Sequence, residues 1–429
     1  SNSFFSINEY KSWTARHDPT KFNIKYYKGL GTSTAKEAKQ YFSDLSTHLL
    51  PFETLTPNAS NMIDVAFSGQ KRHSRKEWIA QHGGKNMLAP DFVSRPRTFE
   101  GFLNSSLMEY NVSTFDRAIP SVVDGLKVVQ RKVLYATTKR NLTKDTKVAQ
   151  VASMVSEVAM YHHGETSMMS TIIGMAQTFV GKNNINLLTP QGQFGTRLQG
   201  GDDAASPRYI FTNLSPLARK IFMKEDDDVL EYLEDEGQTI EPHSFAPIIP
   251  MVLVNGANGI ATGWSTTLPM FNPLQIIDHL IRDLTTNHAS VELTPWYRGF
   301  TGTIEKDVNG YVTKGRWEFG NNYKVRITEL PIGTWTEPYI EKVLKMNTKT
   351  TPKSKASTLR NVIVKHADNS SDVRVDIVFT LSMAAYQKYS TNEEAFVKDF
   401  YLSSTLSMNN IHLLDAHGMI KKYPDVESI

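Results

Sequence analysis

The sequence predicts a multidomain α+β protein, and three observations carry that prediction. The chain has 429 residues, too long for one ordinary domain, and length alone suggests about three. Apolar positions recur at helical spacing through residues 98–213. From about residue 240 the texture changes to short strand-like runs with helices between them. A hydrophobic fraction of 40% is enough to fill real cores, which excludes a disordered chain.

Taken in order, residues 1–50 read as a small α/β piece. Residues 21–27 have strand character, Lys28-Gly29-Leu30-Gly31-Thr32-Ser33 is a glycine turn, and residues 34–50 are a helix. Ser33 or Thr34 would cap that helix, with Glu37 in its first turn. Residues 51–97, rich in Pro, Asn, Ser and basic side chains, read as a linker with one helix near residues 75–81. Helices follow from Thr98 to about Tyr110, from Asp124 to Arg140, through residues 148–159 and from Glu165 to about Val180. Short helices followed by Gly-rich segments fit a winged-helix DNA-binding domain, and they equally fit any small helical bundle. Beyond them residues 247–254 read as a strand running into Asn255-Gly256-Ala257-Asn258-Gly259-Ile260, which is turn chemistry. Strands near 302–304, 324–327, 361–366 and 372–381, with helices near 274–284, 336–346 and 393–401, complete an α+β domain.

Composition removes several classes. There is no cysteine, so disulfides and cysteine metal sites are excluded and a reducing compartment is the simple reading. No run of about 18 apolar residues exists to span a membrane, and the start of the chain has no signal-peptide pattern. The net charge of +3 announces no partner. Its distribution is more informative: Lys127, Arg131, Lys132, Lys139, Arg140, Lys144 and Lys147 face a single acid, Asp145, across residues 126–147. Such a stripe can track a phosphate backbone or be an ordinary solvated helix face.

Four constellations carry chemistry. Ser206-Pro207-Arg208-Tyr209-Ile210-Phe211-Thr212 sets a tyrosine beside an arginine. A phenol, with a pKa of about 10, is a poor nucleophile at neutral pH. An adjacent guanidinium favours the phenolate and can hold a phosphate oxygen, so the pair suits attack on phosphorus. Tyr161-His162-His163-Gly164-Glu165 matches no zinc signature; the histidines would donate to phosphate, shuttle a proton, or simply form a capping turn. Gln191-Gly192-Gln193-Phe194-Gly195-Thr196-Arg197 offers close backbone approach and donors for phosphate or base edges, or is a mobile loop. The glycine turn at Lys28 is neither a P-loop nor a dinucleotide fingerprint, yet its N–H groups can hold a phosphate.

Together with Lys25-Tyr26-Tyr27-Lys28-Gly29-Leu30-Gly31-Thr32-Ser33-Thr34, Ile119-Pro120-Ser121-Val122-Val123-Asp124-Gly125-Leu126-Lys127, Gln130-Arg131-Lys132-Val133-Leu134 and Ile249-Pro250-Met251-Val252-Leu253-Val254-Asn255-Gly256, these segments resemble the DNA cleavage core of type IIA topoisomerases of the eukaryotic topoisomerase II kind. The resemblance implies four parts. They are the C-terminal part of a toprim domain at 1–50, a linker at 51–97, a winged-helix (helix-turn-helix) domain with the catalytic tyrosine at 98–240, and an α+β tower domain at 241–429. It implies that Tyr209 attacks a DNA phosphodiester to give a 5′-phosphotyrosine, with Arg208, Arg131 and His163 at the phosphate. It places Lys28, Lys127, His162, Gln193 and Arg197 on double-stranded DNA and makes Ile260 a wedge between base steps. For the complete enzyme it implies ATP, Mg2+, a homodimer and a nuclear location.

Departures accompany the resemblance. The family's Pro-Gly after Gly-Leu-Lys is Val128-Val129 here, and its Gly after the wedging isoleucine is Ala261. The family's magnesium-binding Glu-Gly-Asp and Asp-X-Asp motifs and its ATPase region are not in this sequence. The expectation is therefore a chain that binds duplex DNA but is incomplete for cleavage. A non-catalytic DNA-bending module stays open beside it, and so does another phosphodiester enzyme of the tyrosine recombinase or relaxase kind.

Overall fold

Thr34 starts the helix Ala35–Ser43 with a reciprocal cap. Its hydroxyl accepts from the Glu37 N–H and the Glu37 carboxylate accepts from the Thr34 N–H, at 3.3 and 2.6 Å. That backbone donor, then the Tyr27 hydroxyl and the Lys25 ammonium, hold the Glu37 carboxyl at about 2. The computed structural model describes residues 2–5, 7–25, 27, 31, 33–82, 97–235, 237–286, 292–348 and 359–429. It divides into two units: residues up to Ala118 with Glu234–Thr239 and Ile260–Trp264, and the remainder. Among the described residues no helix is long and apolar enough to cross a membrane.

The first unit departs from expectation in two places. No strand forms among the described residues of 21–27; Pro19–Lys21 is a 3-10 turn, and Phe22 and Ile24 are exposed. Strand-like composition gains nothing without a neighbouring strand to bond. Within the expected linker two helices form, Pro57–Phe67 and Arg72–His82. The first uses Thr56 as cap and Pro57 at its first position. They bury Ala59, Ala66, Trp78 and Ile79, and the Trp78 indole donates to Asn104 at 2.7 Å. The helical run Phe99–Phe102, Leu103–Leu107 and Met108–Ala118 contains one π turn.

In the second unit three helices, Val128–Lys139, Val148–Val158 and Glu165–Ala176, pack on one another. A small antiparallel sheet accompanies them, with Phe211–Leu214 between Thr146–Lys147 and Leu188–Gln191. The apolar residues of these helices repeat every three or four positions, so one face of each enters a common core. The excursion between Gln191 and Phe211 leaves this sheet as a wing and carries the candidate tyrosine.

Two buried ion pairs fix the base of the helical core. Asp124 accepts from Arg131 Nε and Nη2 at 2.7 and 3.0 Å, from the Leu126 N–H at 2.9 Å and from the Phe245 N–H at 3.1 Å. Lys132 donates to Glu241 at 2.8 Å and to the Ala159 carbonyl at 2.6 Å. Burial raises the Glu241 carboxyl against the pull of Lys132. Gly125, at φ +71°, lets this loop lie on the backbone of Val252, where a Cβ would stand 2.5 Å from the nitrogen.

Residues 247–254, expected as a strand, contain instead the helical turn Met251–Val254, all four residues of which are buried. A short apolar run has no period to separate a buried strand from a buried helix. Pro250 at its cap starts the turn. The core is also shared differently from the expected division at residue 240. Residues 249–276 join the helical core, as do Ile411, Leu413 and Tyr423 of the hairpin Ile411–Leu414 and Ile420–Tyr423.

A second core lies under a four-stranded antiparallel sheet ordered Arg316–Phe319, Lys324–Glu329, Ile377–Leu381, Ile363–Asp368. Helices Thr336–Thr348, Met383–Thr391 and Glu393–Asp399 cover it through Tyr339, Tyr389, Phe396 and Phe400. Two outcomes follow. Asp124→Asn leaves a buried guanidinium short of its counter-charge, and denaturant unfolding should show a loss of about 3–5 kcal/mol. Because the folded-state Glu37 carboxyl lies below its ordinary 4.5, the Thr34 cap is fully formed above that pH and is lost as pH falls toward 2. A carbon-detected titration of Glu37 should read a midpoint well under 4.5.

Candidate active site and nucleic-acid interface

Residues 206–209 form a tight turn, closed by the Tyr209 N–H donating to the Ser206 carbonyl at 2.9 Å. Ser206 Oγ accepts from Arg208 Nε at 3.3 Å, and the guanidinium stands 5.3 Å from the Tyr209 ring centroid. Both side chains are exposed, Tyr209 to 69%, whereas the next residue, Ile210, is buried in the core. The phenol hydroxyl makes no hydrogen bond among the described residues.

What holds this turn is the start of the helix Val148–Val158, which has no side-chain cap. Its first amides, Val148 and Ala149, donate instead to the carbonyls of Ile210 and Pro207, at 3.0 and 3.2 Å. The tyrosine turn is thus the helix's cap. It sits where the partial positive charge of a helix N-terminus favours an anion.

The Gly-rich excursion before it is pinned along its length. Gln177 donates to the Phe194 carbonyl at 2.8 Å, Asp203 accepts from the Thr196 N–H and hydroxyl at 2.8 and 2.6 Å, and the Ala205 N–H donates to the Gln193 carbonyl at 2.9 Å. Phe194 is buried, which turns Gln193 outward into solvent.

The sequence-predicted residues fall into distinct groups. Tyr209, Arg208, Gln193, His162 and His163 are exposed in the second unit; the histidines precede the helix Glu165–Ala176, and the His163 ring lies 5.3 Å from that of Tyr161. Lys127 is half-buried at the cap of the helix Val128–Lys139. Burial lowers its ammonium, and the charge of Lys182 lowers it further. Burial lowers Lys182 too, with Asp202 pulling it back. Ile260 is 82% exposed at the end of the strand Ala257–Ile260. Lys28 lies outside the described residues.

Arg131 and Arg197 differ from expectation. Arg131 is buried against Asp124. Arg197 is buried against Glu329, with Glu329 also accepting from the Thr301 N–H and hydroxyl at 3.2 and 3.1 Å. A guanidinium that satisfies a buried carboxylate is not displayed to a phosphate. The pattern Gly-Thr-Arg advertises a cation, but its partner lies 132 residues away and gives no local signal. Lys182 and Glu329 were missed for the same reason. Among the described residues no three His, Asp or Glu side chains converge. The groups around Tyr209 are cationic or neutral, so the donor set does not fit a divalent cation.

An exposed tyrosine beside an arginine, on a wing that caps a helix start, is suited to covalent exchange with a phosphodiester, and the comparisons agree with that class. Residues 117–429 match the family model for the GyrA-type chain of DNA gyrase/topoisomerase IV, and residues 1–115 match the C-terminal associated domain of TOPRIM. The chain belongs to this family, the type II DNA topoisomerases. It is 43% identical to DNA topoisomerase 2 of Arabidopsis thaliana over 100% of the chain and 29% of that protein. It is 42% identical to DNA topoisomerase 2-alpha of Mus musculus over 99% of the chain and 28% of that protein. The crystal structure of the Plasmodium falciparum topoisomerase II DNA-binding, cleavage and re-ligation domain superposes with a TM-score of 0.83 at 40% identity, covering 99% of this chain and 57% of that one. The chain therefore spans under a third of the length of these full relatives. Since the Tyr209 hydroxyl holds nothing in place, Tyr209→Phe should leave stability within about 0.5 kcal/mol of the parent by thermal unfolding.

Proposed function

We propose that this chain is the tyrosine-bearing part of a type II topoisomerase core, which breaks and rejoins duplex DNA through a covalent phosphotyrosine. The observation that carries it is Tyr209 itself, exposed and fixed by its backbone on a helix N-terminus with Arg208 alongside. In the forward step the Tyr209 oxygen bonds to phosphorus as the bond from phosphorus to the 3′ oxygen breaks. The phenol gives up its proton, the 3′ oxygen gains one, and the DNA 5′ phosphate stays on the tyrosine. The reverse step restores both groups. One phosphodiester is exchanged for another, so rejoining needs no outside energy.

The chain's residues have separable roles in this reading. Arg208 steadies the scissile phosphate and, with the helix start, favours charge there. His162 and His163 supply donors for neighbouring phosphates. Lys127 and Lys182 hold two cations in a half-buried setting that an anion would relieve. Gln193 contacts the duplex, and Ile260 wedges a base step. Arg131 and Arg197 hold the frame on which these groups stand. Strand passage, ATP and magnesium dependence, the homodimer and nuclear location belong to the whole protein and rest on the family resemblance. No step of the exchange is routed through a metal here, because the residues present do not fit one.

The test is adduct trapping in the full-length protein with a nicked duplex and magnesium. Tyr209→Phe should abolish the covalent adduct and leave duplex affinity unchanged; an adduct that persists assigns the chemistry to another residue. Loss of neither adduct nor affinity in any variant of the site would favour a DNA-bending module. Lys127→Ala and Lys182→Ala should each flatten the salt dependence of duplex binding by about one phosphate contact, measured by fluorescence anisotropy across a salt series.

A further inference from the structure

The wing that carries Tyr209 is gripped at a second place. Residues 197–200 lie against residues 329–337, and each contact is of a different kind. The Arg197 guanidinium pairs with Glu329, whose carboxylate also accepts from Thr301 and from the Leu330 N–H at 2.9 Å. The first amides of the helix Thr336–Thr348, those of Thr336 and Glu337, donate to the carbonyls of Arg197 and Leu198 at 3.2 and 3.0 Å. Gln199 donates to the Glu337 carboxylate at 2.8 Å. Gly200, at φ +67°, lies so close to the Trp335 indole that a Cβ would stand 2.2 Å from its nitrogen. The indole is backed edge-on by Phe179 at 5.6 Å.

From there to the tyrosine turn little slack remains. Thr196 and Asp203 close the base of the loop, and Ala205 is bonded back to Gln193 immediately before Ser206. The segment from Arg197 to Ile210 therefore caps two helices. Its start caps the helix of the C-terminal α+β region and its end caps the helix Val148–Val158.

We propose that the buried Arg197–Glu329 pair, with the Gln199 and Trp335 contacts beside it, is a positioning device for Tyr209, tying the tyrosine's loop to the C-terminal sheet without touching DNA. The proposal rests on Tyr209 being the nucleophile. Burial of both partners is the argument against a phosphate contact: Arg197 is 5% exposed and Glu329 2%. Phosphoryl transfer demands an in-line approach, so a loop displaced by about 1 Å loses rate on the order of a hundredfold while the surfaces that bind duplex are unaltered. Glu329 is then a residue that acts on the reaction only through Arg197.

The experiment compares Glu329→Gln, Arg197→Met and Gln199→Ala with the parent in the full-length protein. Glu329→Gln and Arg197→Met should slow adduct formation at saturating nicked duplex by about tenfold or more, and Gln199→Ala by about threefold. Duplex affinity and its salt slope should stay at parental values in all three. If Arg197→Met weakens binding and flattens the slope while Glu329→Gln leaves the adduct rate alone, Arg197 is a phosphate contact and the proposal is overturned. Should the two core variants fail to fold, Gln199→Ala, on the surface, decides alone, and an unchanged adduct rate overturns the proposal. Hydrogen exchange without DNA supplies an arm independent of the chemistry. Gln199→Ala and any folded core variant should speed exchange at residues 196–210, and unchanged protection there overturns the clamp. A parent that forms no adduct would sink the nucleophile reading, leaving this exchange arm to judge the clamp.

Discussion

The second unit is organised around the unsatisfied amides at the starts of two helices. A helix leaves its first N–H groups without internal partners, and burying one unpaired costs about 1–3 kcal/mol. Here neither Val148–Val158 nor Thr336–Thr348 is capped by its own side chain through these first amides; both use carbonyls of one Gly-rich wing. The wing has no strand or helix of its own between Gln191 and Phe211, so it depends on the helices in turn. This mutual dependence lets an irregular segment hold an exposed tyrosine in one place.

Charge is divided by depth. The buried cations Arg131, Lys132 and Arg197 each face a buried carboxylate and are consumed in holding loops against the core. Such pairs add little net stability over apolar residues of the same volume, but they specify which loop meets which strand, because either partner alone would be a buried unpaired charge. The cations left for an anion are the exposed Arg208 and the half-buried Lys127 and Lys182. A basic stripe on paper is thus partly framework and partly interface.

Local signals were legible where one turn of chain contains both halves of the interaction. Thr34 with Glu37, the helical periods of residues 128–176, and the arginine beside Tyr209 all read directly. The linker reading of 51–97 failed because its polar composition hid the Thr-Pro start of a helix. The strand readings at 21–27 and 247–254 failed because extended and helical backbones can bury the same short apolar run, and the choice depends on neighbours. The roles of Arg131 and Arg197 were misjudged because a sequence displays a cation without displaying the carboxylate that neutralises it.

By itself the sequence determined the class of protein, the order of its elements and the tyrosine with its arginine, since residue identity and short spacing carry that chemistry. Only the tertiary structure decided which basic groups are free to meet an anion. It also decided that the wing is clamped rather than loose, and that Glu329 and Trp335 belong to the site's support. Those facts rest on burial and on pairings between residues far apart in the chain, and no local pattern of side chains encodes them.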